Sequence, residues 1–182
     1  MFDILGAGGA SALMTAVVST VGGAGSPIPL PVMPAVAPVA AFQPLEQLVE
    51  ANRTGLALDE EGQCLATAVY FESRGEPLQG QLAVADVVMN RAQSGQYPTS
   101  LCGVVKQKAQ FSFVRGGGRF PAVDSSCEAW ARAQAIARIA LQEKAIALPD
   151  DVLWYHADYV APSWGHRLQR VDKIGAHIFY RA

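Results

Sequence analysis

Apolar residues recur at helical spacing through EEGQCLATAVYFESR, residues 60–74, a run that opens on two acids and stops at Gly75. Acids in a first turn suit the helix dipole, and a glycine followed by Pro77 ends a helix, so the pattern predicts a helix over about 60–74. Pro77 fits a first helical position, and Leu78, Leu82, Ala85 and Val88 or Met89 form an apolar stripe through PLQGQLAVADVVMNRAQS. Two helices should therefore meet at a Gly-Glu-Pro corner. A short helix over 99–106 follows, then a loop carrying QFSF at Gln110–Phe113 and the flexible Gly116–Gly118. Phe111 and Phe113 read as core residues, since alternating aromatics usually mark a half-buried strand, with a sugar platform as the alternative. Ser125 and Glu128 stand three apart, as in a capping box, ahead of the Ala-rich helix WARAQAIARIALQ. Asp151–His156 and Ile174–Tyr180 are aromatic and β-branched, which predicts a small antiparallel β-hairpin on a mostly helical body, an α+β fold.

Upstream the pattern is different. From Ile4 to Ser26 the chain is uncharged and apolar but diluted by Gly, Ser and Thr, closer to the core of an export signal than to a membrane span. No basic residue precedes it, and small residues near Ala24 and Ala41 suit cleavage. Residues 1–25 are expected to be an export signal or membrane-proximal segment, with disorder as the alternative. Residues 26–44, rich in Pro and Ala, deny the backbone helical hydrogen bonds and read as an extended tether. Residues 45–182 form the folded domain. Export places the chain in the cell envelope, periplasm or wall; a chain with no signal would remain in the cytoplasm.

Composition narrows the partners. Half of the residues are apolar and the formal net charge is -2, so no long-range field gathers nucleic acid or an anionic membrane. Any membrane association would run through the N-terminal segment. Cys64, Cys102 and Cys127 contain no C-x-x-C pair, leaving one disulfide plus a thiol, or three thiols. A Cys102–Cys127 bridge would close a loop worth roughly 3 kcal/mol of unfolded-state entropy. His156, Asp158, His166 and His177 lack compact ligand spacing and read as satisfied structural histidines, and Gly116–Gly118 lacks the Lys-Ser/Thr of a phosphate loop. No metal and no cofactor are expected.

The sharpest chemical signal is Glu72, which shares a helix face with Leu65, Ala68 and Val69. A carboxylate ending an apolar stripe is desolvated, and it lies at the negative end of the helix dipole. Both effects raise its pKa toward that of a general acid. The bland alternative is a surface glutamate paired with Arg74 or Arg91. No second acid stands out: Glu76, Asp86, Asp124 and Asp158 each read as a cap or a solvated charge.

The stretch CLATAVYFESRGEPLQGQLAVADVVMNR, Cys64–Arg91, resembles the signature of SleB-type cell wall hydrolases, the spore cortex-lytic family. QFSF after GVVKQ, and WYHADYVAPSW followed by VDKIGAHIFYR, match as well, so the resemblance covers about 63–181. It implies a lysozyme-like α+β catalytic domain that cleaves peptidoglycan between N-acetylmuramic acid and N-acetylglucosamine, with the catalytic acid falling on Glu72. A single acid suffices for a lytic transglycosylase, which leaves 1,6-anhydromuramic ends. Gln110, Ser112, Tyr155 and Trp164 are the candidate substrate contacts, while Asn90 and Arg91 are expected to cap and brace the second helix. The chain departs from the family pattern at Ser73, commonly Ala there, and at the Gly-rich, basic stretch Val114–Arg119. The alternatives are a plain hydrolytic muramidase, a peptidoglycan-binding module without turnover, and a metal-dependent amidase.

Overall fold

The computed structural model describes residues 43–182. The expected export segment and nearly all of the tether lie outside the described residues. Five helices come first: α1 Leu45–Asn52, α2 Glu60–Ser73, α3 Leu78–Gln93, α4 Leu101–Lys106 and α5 Glu128–Leu141. Then come three strands, β1 Trp154–Ala157, β2 Gln169–Ile174 and β3 His177–Arg181, with a 3-10 turn at Gly165–Arg167.

α2 is the hub, packing on α3, α4 and α5. Asp59 starts it, its carboxylate accepting from the Gly62 N–H at 2.8 Å. The helix is buried on nearly every side, with Leu65, Ala66, Ala68 and Val69 fully enclosed, and its small residues let three neighbours approach closely. α3 begins after Pro77 as expected and buries Leu82, Ala85 and Val88 in the same core.

The sheet is antiparallel in the order β1-β3-β2. The two segments expected to pair do so, with Tyr155 opposite Phe179 and His156 opposite Ile178. The third strand, QRVDKI, was not anticipated, and the tight turn joins it to β3 rather than joining β1 to β3. It is an edge strand with largely exposed positions, so its charges suppress the apolar alternation that marks a strand. One face of the sheet packs on α3, where Ala83 and Val87 enclose Phe179 together with Leu148 and Val152.

The structure also resolves the cysteine pairing left open by the sequence, the α5 cap and the two phenylalanines. The disulfide joins Cys64 to Cys102, and Cys127 is free. α4 is drawn onto α2 because Glu61 accepts from the Leu101 and Cys102 N–H groups at 2.6 and 3.2 Å, which sets the two cysteines side by side. α5 is capped by Cys127, whose sulfur accepts from the Trp130 N–H at 3.4 Å, and not by Ser125. Phe111 and Phe113 lie in the expected loop, and of the two rings only Phe111 is buried, Phe113 being partly exposed.

Candidate active site

Glu72 lies on the last turn of α2. Its Oε2 accepts a hydrogen bond from the Tyr155 hydroxyl at 3.2 Å, across the gap between helix and sheet. Burial raises its pKa above the ordinary carboxylate value, against the smaller opposing effects of the Tyr155 hydrogen bond and the Arg91 charge. Burial and the charge of Glu72 lift the Tyr155 phenol well above its usual value, so it remains a donor. The bland pairing is not found. Arg74 lies 4.9 Å over the Tyr70 ring, and Glu72 forms no ion pair among the described residues.

What positions Tyr155 is a buried polar face on α3. Asn90 Nδ2 donates to the carbonyls of Pro149 and Val152 at 2.8 and 3.1 Å, and Arg91 Nε donates to Leu153 at 2.8 Å. One turn earlier, Asp86 Oδ2 accepts from the N–H groups of Ala147 and Leu148 at 2.7 and 3.0 Å. The connector from α5 to β1 has no secondary structure to satisfy its backbone, so these three side chains do it. Asn90 and Arg91, expected to cap and brace α3 itself, instead hold the connector, and Arg91 also brings its charge to Glu72 and Tyr155; burial disfavours that charge while Tyr155, Tyr97 and Glu72 favour it. Asp86 is no solvated charge: burial outweighs its two backbone hydrogen bonds and pushes its pKa up to about 6.

The α2–α3 corner holds the sheet from the other end. Glu76 Oε2 accepts from the Ala176 N–H at 2.8 Å, so Glu76 ties the β2–β3 turn to the corner. Gly175 in that turn has φ 59°, and a side chain there would collide with Glu76 and Pro77. The expectation of satisfied histidines holds for His156, whose Nδ1 faces the Ala157 carbonyl and whose Nε2 faces the Tyr180 hydroxyl, each at 2.9 Å. It fails for His177, which is buried with Nδ1 unpartnered and its ring edge-on to Tyr155 at 5.2 Å. Nothing in its sequence neighbourhood signals that placement, because it depends on the β1–β3 register.

Of the candidate contacts, Tyr155 meets Glu72 directly. Gln110 and Ser112 are exposed on a loop that reaches α2 through Phe113, which stacks on Phe71 at 4.9 Å, beside Glu72 in the chain. Trp164 is not brought to Glu72. It packs on His156 and Tyr180 at 5.5 and 5.6 Å, and these alternate with Tyr155 and Phe179 onto the opposite face of the sheet. Among the described residues, no three His, Cys, Asp or Glu side chains gather in a metal-ligating arrangement.

Fold and site together define an α+β domain organised about one half-buried acid, held between a central helix and a small antiparallel sheet. The chain belongs to the Cell Wall Hydrolase family, which matches residues 75–180, a stretch that begins just after Glu72. The spore cortex-lytic enzyme of Bacillus subtilis (strain 168) is 31% identical over 134 residues, covering 74% of this chain and 42% of that protein. That of Halalkalibacterium halodurans is 31% identical over 121 residues, covering 66% of this chain and 34% of the relative. The chain thus spans less than half the length of these curated relatives. The catalytic domain of the germination-specific lytic transglycosylase SleB from Bacillus anthracis superposes with a TM-score of 0.57 at 29% identity, covering 70% of this chain and 100% of that one. The catalytic domain of the Bacillus cereus SleB protein gives the same score and identity, over 71% and 96%.

Proposed function

We propose that this chain cleaves the glycan strands of peptidoglycan between N-acetylmuramic acid and N-acetylglucosamine, as a lytic transglycosylase of the cell envelope. The observation that carries the reading is Glu72 itself: a half-buried carboxyl with a raised pKa, held by the Tyr155 hydroxyl at the end of α2. The matched relatives are named as cortex-lytic, and one as a lytic transglycosylase, which supports the same substrate.

In this reading protonated Glu72 gives its proton to the glycosidic oxygen as the bond to the muramic anomeric carbon breaks. The carboxylate so formed then takes the proton from the muramic 6-hydroxyl, whose oxygen closes on the anomeric carbon. The proton is returned and no water is consumed, so the step needs no second carboxylate across the scissile bond, unlike ordinary glycosidases. Tyr155 orients the carboxyl and stabilises its charged form midway. Gln110 and Ser112 supply amide and hydroxyl contacts to the sugars.

Mass spectrometry of the fragments released from purified peptidoglycan tests the chemistry. The expected products carry 1,6-anhydromuramic ends. Reducing ends would instead mean hydrolysis, with a water activated opposite the acid.

A further inference from the structure

The loop after Phe113 does not enter the chemistry above, and it gathers basic residues around a tight turn. Gly117 and Gly118 both have positive φ, at 79° and 72°, and the tight turn they make sets Arg115 directly across from Arg119 in an isolated antiparallel bridge. The Arg115 N–H donates to the Arg119 carbonyl at 2.9 Å. Like charges placed opposite one another repel. Neither arginine, nor Lys108 nearby, forms an ion pair among the described residues, whereas Lys106 is paired with Glu60 at 3.7 Å.

Beside this turn lies a cavity of about 360 Å³, lined by Lys106, Lys108 and Arg115 with the glycines and Gln107, and by no acid; Arg119 does not line it and donates its Nε–H to the Gly116 carbonyl at 3.2 Å. Two features of its wall lack an internal explanation. Gln107 Oε1 is buried there without a hydrogen-bond partner. Ala109 takes φ 63°, a left-handed conformation that a residue with a side chain rarely adopts unless its surroundings require it. The loop is also anchored beside the proposed acid, because Phe113 stacks on Phe71 and touches Phe120, over which Lys106 sits at 5.6 Å.

We infer that this cavity binds the acidic peptide stems carried by muramic acid residues, so that the chain prefers peptide-bearing strands to bare glycan. Cations at Lys108 and Arg115 receive the stem carboxylates. A neutral sugar would leave the cations unmet, and the stem carboxylates are the anions that peptidoglycan carries on its muramic acid residues. The inference rests on peptidoglycan being the substrate.

The test uses the full chain and its Lys108→Gln/Arg115→Gln variant. The changes fall on exposed side chains, and thermal unfolding checks that the fold is retained. Substrates are intact peptidoglycan and the same material stripped of its stems by an amidase. For the wild type, kcat/KM should be higher on intact material, and the ratio between the two substrates should fall about tenfold in the variant, mainly through KM. An unchanged ratio overturns the inference. If neither protein cleaves either substrate, the glycan-cleavage reading fails separately, and calorimetry with soluble stem peptide decides this one. Binding by the wild type that weakens with salt and is lost in the variant supports it, and equal or absent binding overturns it.

Discussion

Two carboxyls, half-buried Glu72 and buried Asp86, set how single residues make the protein respond to pH. A general acid must start protonated, so activity should fall as pH rises through the folded pKa of Glu72, which burial places above the ordinary carboxylate range. Tyr155 donates to the charged form and lowers that pKa. Tyr155→Phe should therefore move the basic limb of the kcat/KM profile to higher pH while lowering kcat about tenfold, roughly the value of one hydrogen bond to a charged group. A limb that stays in place would remove Tyr155 from the site. Asp86 makes a stability prediction with a definite sign. Its folded pKa of about 6 lies above its unfolded value, so the native state binds more protons and stability declines as pH rises from about 4 to about 6. The decline is worth up to about 3 kcal/mol. Asp86→Asn keeps an acceptor for Ala147 and Leu148 but cannot ionise, and urea unfolding across this range should show the slope reduced.

At the scale of elements, helices were legible wherever local rules acted alone. The acids that open α2, the Gly75 to Pro77 corner and the apolar stripe of α3 all act within a few residues, and the structure places both helices within a residue or two of expectation. What failed depended on contacts between elements. Ser125 and Glu128 have capping-box spacing, but α5 begins at Glu128, so Cys127 takes the cap. β2 carries too many charges to look like a strand until β3 lies beside it. The cysteine pairing follows from Glu61 holding the start of α4, a contact that spacing along the chain cannot disclose. The Cys64–Cys102 bridge closes a 38-residue separation, worth about 4 kcal/mol in the chain-entropy model. Reduction, or Cys64→Ala with Cys102→Ala, should lower Tm by about 10 °C in a calorimetric scan. An unchanged Tm would mean that the α2–α4 packing holds without the bridge.

Across the whole molecule, the candidate site was half legible. Glu72 announces itself by ending an apolar stripe, but its environment is assembled from distant parts of the chain. Tyr155 arrives on β1 because Asp86, Asn90 and Arg91 hold the connector before it. Trp164, expected as an aromatic face toward the sugars, packs on the other face of the sheet from Tyr155 because alternation puts its partners there. The basic turn at Arg115–Arg119 was visible as composition, while its cavity and the unpartnered Gln107 were not. The account stands most directly on the rate of glycan cleavage by the wild type and by Glu72→Gln on the same purified peptidoglycan. Glutamine preserves size and can accept from Tyr155 but carries no proton to transfer, so the rate should fall by about 10²- to 10⁴-fold with Tm nearly unchanged. A variant that still cleaves at a comparable rate would contradict the assignment of Glu72 as the acid.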